Sequence, residues 1–206
     1  NWDMWCGPAP LRPFNGGDPR NPSQGAGNRG IHPRGFRNYL DYANGTLGDW
    51  GIHWLDHILW WSEEKHPRYV SSTGGRFVRQ DSSDAPDTQI AQFEFQDFTA
   101  VWEHRQYAGN NAEKHPLGIY FYGTEGTMHI GWQDGATFYP ARSGRPEVHR
   151  DPQLRQPDNQ NIPDLWADFI EAIESGRPPA CDIESGHRAT AMCLLGMLSL
   201  KLGRGV

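Results

Sequence analysis

Residues 47–61 read LGDWGIHWLDHILWW. Two acids and two histidines sit inside an otherwise apolar run. Under helical periodicity Asp49, His53, Asp56, His57 and Trp60 share one stripe, while Ile52, Trp54, Leu55, Ile58, Leu59 and Trp61 cover much of the remainder. A helix that is apolar nearly all round is a buried one. The stretch therefore predicts a buried helix over roughly 49–62, capped by Asp49. Its polar stripe should face an enclosed cavity or a tight polar network, because unpaired buried charge is costly. Either Asp49 caps the helix and His53 bonds a core carbonyl, or the stripe is a chemical site.

Downstream, TQIAQFEF (88–95) and TAVWEHRQY (99–107) alternate like strands around a short turn. GIYFYGTEGTMHIGW (118–132) places a Gly-Thr-Glu-Gly turn between two further β-rich runs, and ATFYPA (136–141) adds another. HPRYVSSTGG before them reads as turn-rich. Strands joined by short connections without intervening helices form an antiparallel sheet. Two helices follow. NIPDLWADFIEAIESG has Pro163 in its first turn, Gly176 past its end, and apolar residues at helical spacing from Ile162 to Ile173. DIESGHRATAMCLLGMLSLKLG is more apolar and ends at Gly203. The expected class is α+β: a predominantly antiparallel open sheet with helices packed on one face, forming one domain over 1–206.

Upstream, residues 1–38 carry most of the loop signals and read as an extended Gly/Pro-rich arm, with 39–206 as the body. Trp2, Trp5, Phe14 and Phe36 make the arm a covering segment that needs burial. GAGNRG (25–30) matches G-x-G-x-x-G, but a dinucleotide site needs a strand before the glycines and a helix after them. DPRNPSQ precedes and IHPRGF follows, so a flexible loop is expected.

The 206 residues suffice for a sizeable core. A net charge of -6 argues against a nucleic-acid partner. No apolar run reaches the ~18 residues of a membrane span. Three cysteines without CxxC spacing indicate neither a disulfide framework nor structural zinc. A soluble protein is expected, with cytoplasm and periplasm left open.

The strongest chemical signal is Asp49-x-Gly-x-His53. A histidine can exchange a proton with a hydroxyl near neutral pH, and an acid one turn away can orient it. His53 and His57 also have i, i+4 spacing, which two ligands of one metal can use. Asp49, His53 and His57 are thus weak candidates for a divalent metal, without the Glu of H-E-x-x-H. His32 is a loop histidine beside two arginines. Glu103 and His104 are adjacent on a strand, so only one can face a site. Arg37 and Tyr42 complete the substrate-contact candidates, with His32, His57, Glu103 and His104.

WDMWCGPAP, HPRGFRNYLDYANGTLGDWGIHWLDHILW, PDTQIAQFEF, YGTEGTM and DIESGHRATAMCLLGMLSLKLGR, in that order, resemble the C-terminal domain of the Gfo/Idh/MocA oxidoreductases, the glucose–fructose oxidoreductase and inositol dehydrogenase family, in its bacterial sugar-related branch. The resemblance runs from Trp2 to Arg204. It implies a substrate and oligomerisation domain that follows an NAD(P)-binding Rossmann domain. It makes Asp49 and His53 the acid and the histidine at the substrate, a sugar or polyol. It also implies a homo-oligomer through the open sheet face. The Rossmann domain and its Glu-Lys-Pro lysine belong upstream and are not within these residues, so no cofactor is expected on this chain alone; NAD or NADP belongs to the full-length family. Two other readings stand beside it. One is a stand-alone carbohydrate-active hydrolase or lyase using metal at the Asp49/His53/His57 cluster. The other is a non-catalytic sugar-binding or assembly module.

Overall fold

The computed structural model describes residues 1–14, 30–32, 35–108, 114–153 and 161–206. GAGNRG lies largely outside them. The described residues are α+β, with antiparallel strands in two sheets, and the chain divides into two compact units.

The first unit comprises 1–108 and 183–206. Its sheet has the order β1 (Tyr69–Gly75), β2 (Thr88–Glu94), β3 (Thr99–Arg105). In register, Val70 lies opposite Phe93 and Phe93 opposite Ala100, so one face is apolar and buried. Helices α2 (Ile52–Ser62) and α4 (Ile183–Leu202) pack in this unit, and α4 lies against the sheet. Along α4 the buried residues Ala189, Met192, Cys193, Gly196 and Met197 recur at helical spacing. The opposite sheet face carries Ile90 and Val101 among polar neighbours. Phe93 and Trp102 lie on the buried side with Ala91, Ala100 and His104.

β1 falls in the segment read as turn-rich. The His-Pro and Gly-Gly pairs suggested loops there, but the intervening Tyr-Val-Ser-Ser-Thr pairs fully with β2. The strand is also clipped by the last residue of the chain, since Val70 and Val206 exchange two 2.9 Å backbone hydrogen bonds.

The N-terminal arm begins not extended but as a short helix, α1 (Trp2–Cys6), capped by the Asn1 side chain. Its aromatics cover one another: Trp2 and Trp5 stack at 4.4 Å, and Trp5 reaches Phe36 and Tyr42. Phe14 is 59% exposed, against the expectation that it needs burial; it meets only the edge of Trp2 within this aromatic cluster. Arg12 ties the arm down by pairing with Asp41 and Asp84.

The second unit, 109–182, holds a meander of β4 (Gly118–Gly123), β5 (Gly126–Gly131), β6 (Ala136–Pro140) and β7 (Val148–Arg150), together with α3 (Ile162–Ser175). The two-residue turn Thr124-Glu125 joins β4 to β5 as expected. Here aromatics do occupy both faces: Tyr120 and Tyr122 on one, Phe121 and Phe138 on the other. The apolar stripe of α3 stays on the surface, with Trp166 and Ile173 both more than half exposed.

Candidate functional site

The stretch 47–61 is not one α-helix. Leu47–Gly51 forms a wide π turn, and α2 starts only at Ile52. Such turns recur at functional sites because they rotate side chains off the regular helical stripe. The Asp49-x-Gly-x-His53 motif straddles this π-to-α junction. Two close approaches hold the turn. Leu47 is fully buried, and a Cβ on Gly51 or on Gly196 would come within 2.7 Å of its side chain. The Cys193 thiol donates to the Leu47 carbonyl at 3.2 Å. Burial pushes that thiol up to about 12, so it stays protonated and remains a donor.

The expected cap is not made. The turn starts after Thr46 without a side-chain cap, and Asp49 sits inside it. Its carboxylate accepts from Arg37 Nε at 2.7 Å. The partners' side chains are 41% and 33% exposed, and a pair that open contributes only about 0–1 kcal/mol. Its consequence is orientation of Asp49. Nor is the polar stripe enclosed. His53 is exposed, as are Trp60 at 80% and Trp61. Burial of α2 is confined to Trp54, Leu55, Ile58 and Leu59.

Arg37 and Asp49 form a ridge between two open clefts. One, of about 240 Å³, is lined by Phe36, Asn44, Gly48, Ile52, Thr190 and Cys193 with the ridge pair. The other, of about 210 Å³, is polar and includes Asn38, Thr46, Trp50, Arg79 and Gln106. His53 lies one turn beyond Asp49, its ring in edge contact with Trp50 at 6.5 Å between centroids. Asp49 and Arg37 thus line both clefts, whereas His53 lines neither and stands exposed beside Trp50.

The other sequence candidates disperse. His57 Nδ1 is 2.6 Å from the His53 carbonyl oxygen, and its ring lies against Trp54. Tyr42 donates to the Pro10 carbonyl at 2.7 Å and stacks on Trp5, fastening the arm. His32 is buried beneath Gly35, whose added Cβ would collide with its ring. Glu103 and His104 point to opposite faces, as alternation requires. Glu103 pairs with Arg105 on the open side. His104 is buried: Trp102 donates its indole N–H to Nδ1, and Nε2–H faces the Pro86 carbonyl. Burial pushes His104 below its ordinary value, and both ring nitrogens are turned to protein partners rather than to either cleft. The metal grouping is not assembled either. Among the described residues no three of His, Cys, Asp and Glu converge on a common point, and Asp49 turns to Arg37.

Sequence reasoning missed Arg79 and Gln106. Both reach the polar cleft from parts of the sheet unit remote in sequence from Asp49, and no local pattern announces them. The π turn did leave a signal in the two glycines, Gly48 and Gly51, spaced three apart in a helical run.

All of residues 1–206 match the family model described as the Gfo/Idh/MocA oxidoreductase family, C-terminal alpha/beta domain. The chain belongs to that family. A search of curated proteins found no match. Among solved structures it is similar to aldose-aldose oxidoreductase from Caulobacter crescentus in complex with glycerol (21% identity, TM-score 0.65, 85% of this chain and 51% of that one). It is also similar to an oxidoreductase from Agrobacterium radiobacter in complex with NAD+, L-tartaric acid and magnesium (17%, 0.61, 79% and 48%). A third is UDP-N-acetylglucosamine 3-dehydrogenase from Acidithiobacillus ferrooxidans (20%, 0.54, 73% and 45%). At these identities the likeness is one of fold. The chain spans about half the length of each. Among the described residues no helix is long and apolar enough to cross a membrane.

Proposed function

We propose that this chain supplies the substrate side of a sugar- or polyol-oxidising enzyme whose dinucleotide is held elsewhere in the full-length protein. The observation that carries the reading is the Asp49–His53 pair at the π-to-α junction, with Asp49 aimed by Arg37 and His53 open to solvent. NAD or NADP, implied by the family, would take up the hydride. The described residues offer no strand–glycine loop–helix unit to hold it, so no step is assigned to it on this chain.

His53 acts on the substrate hydroxyl. Its imidazole takes the hydroxyl proton as the carbon is oxidised and returns it in the reverse direction. Asp49, held by the Arg37 guanidinium, accepts a hydrogen bond from the same or the neighbouring hydroxyl and fixes the sugar ring relative to His53. Acid–base help of this kind is worth about 10²–10⁴ in rate. The neighbours that act on aldoses and on a UDP-sugar support a carbohydrate substrate. A homo-oligomer belongs to the same reading, supported by the exposed Tyr120 and Tyr122 on β4. Light scattering on the full-length protein tests that part.

The test of the reading is a panel of aldoses, polyols and their oxidised forms, supplied to the full-length protein with NAD+ or NADP+ and followed by nicotinamide absorbance. Turnover of at least one member, lost in Asp49→Asn, is expected. Tight sugar binding with no turnover across the panel would instead favour a binding module.

A further inference from the structure

The polar cleft beside Asp49 is lined by a second arginine. Arg37 is balanced by Asp49. Arg79 also lines the cleft, and its Nη1 is buried without a hydrogen-bond partner among the described residues. A buried guanidinium N–H with no acceptor is costly unless something that enters the cleft supplies one. The nearby carboxylates are spoken for. Asp87 accepts backbone N–H groups from Phe77, Val78 and Arg79 itself, and Asp81 pairs with Arg76. His104, close by, is buried and bonded on both ring nitrogens. Among the residues that line the cleft, two guanidiniums stand against one carboxylate.

Its shape is held from below. Gln106 donates to Thr46 and to Asn38 at 3.4 Å, joining the end of β3 to the segment before the π turn. The Arg79 main chain is pinned by its N–H to Asp87 at 2.8 Å and by Arg76 donating to its carbonyl at 3.1 Å. The guanidinium is thus carried on a fixed backbone, and Trp50 supplies an aromatic wall on the side that leads to His53.

We propose that this cleft binds the anionic group, carboxylate or phosphate, of an acidic sugar, with Arg79 as its principal ligand. A planar guanidinium matches the paired oxygens of either anion, which an ammonium cannot do. The inference rests on the reading above, in which Asp49 and His53 face the sugar's hydroxyls. It adds that the substrate carries an anionic group, received on the Arg79 side of the cleft.

The experiment is calorimetric titration of the full-length protein with D-glucuronate, D-glucose 6-phosphate and D-glucose at low ionic strength. At least one acid should bind about tenfold or more tighter than glucose, the scale of one charge-assisted contact. Preference for glucuronate assigns the carboxylate, and preference for the phosphate assigns that group. In Arg79→Gln the acid-over-glucose ratio should collapse towards one, and Arg79→Lys should restore part of it, with melting temperatures confirming that both variants fold. Equal affinity for all three sugars, or an acid preference untouched by Arg79→Gln, overturns the proposal. Oxidation of neutral sugars that depends on His53 but shows no acid preference removes this inference and leaves the proposed function standing. Oxidation indifferent to His53 removes the reading beneath it.

Discussion

The Cys193 thiol on α4 donates to the Leu47 carbonyl 146 residues away in sequence. The C-terminal helix thereby clamps the π turn that carries Asp49. Position of the acid depends on contacts with a part of the chain remote from it in sequence.

Gly196 of α4 packs against the Leu47 side chain at the start of that turn. Gly196→Val should destabilise by about 1–3 kcal/mol, the range for overpacking a filled core, although valine is the better helix former. Urea denaturation should show the midpoint falling with the slope unchanged. An equally stable variant would mean that the Leu47 contact is loose.

The three cysteines should differ in reactivity. Cys181 is exposed, whereas Cys6 and Cys193 are buried and burial holds Cys193 at about 12. Iodoacetamide labelling at pH 8, read by mass spectrometry, should modify Cys181 first and Cys193 only on unfolding. Early labelling of Cys193 would mean that the clamp opens in the native state.

Asp87 anchors the loop between β1 and β2. It is fully buried, and hydrogen bonds from Phe77, Val78, Arg79 and Thr88 outweigh desolvation, lowering it from 3.8 to about 2. A depressed folded value contributes stability above the unfolded value. The contribution, about 2 kcal/mol, is present above pH 4 and lost as pH falls from there through about 2. Asp87→Asn should remove it, leaving an acid-unfolding profile flatter over that interval than the wild type's. Identical profiles would contradict the anchor.

His104 is shifted downward chiefly by burial. The folded protein therefore binds this proton less readily than the unfolded chain, and stability should fall as pH drops below the ordinary 6.5. An NMR titration should find the His104 midpoint below the ordinary 6.5, with the neutral ring protonated at Nε2. A midpoint at or above 6.5 would count against the buried Trp102–His104–Pro86 arrangement.

Much of this was legible from local pattern. The strands β2 to β6 followed from alternation and turn residues, and α3 from Pro163, Gly176 and its stripe. β1 was hidden because its flanking Pro and Gly pairs speak louder than its short β-branched centre. The Asp49–His53 pair could be read from spacing, but its setting could not. Helical periodicity assumes a constant rotation per residue, and the π turn breaks it where Leu47 wedges between Gly51 and Gly196. The same assumption made the stripe seem enclosed. The Arg37 partner of Asp49, and Arg79 and Gln106 beyond it, are products of tertiary packing that local sequence does not encode.

The central claim is that His53 moves the substrate's proton. The most direct measurement compares turnover and melting temperature for wild type and His53→Ala in the full-length protein. Because His53 is exposed, the melting temperature should move by no more than about 2 °C, the scale of a surface change, while turnover should fall by about 100-fold or more. Undiminished turnover per folded molecule would contradict the account.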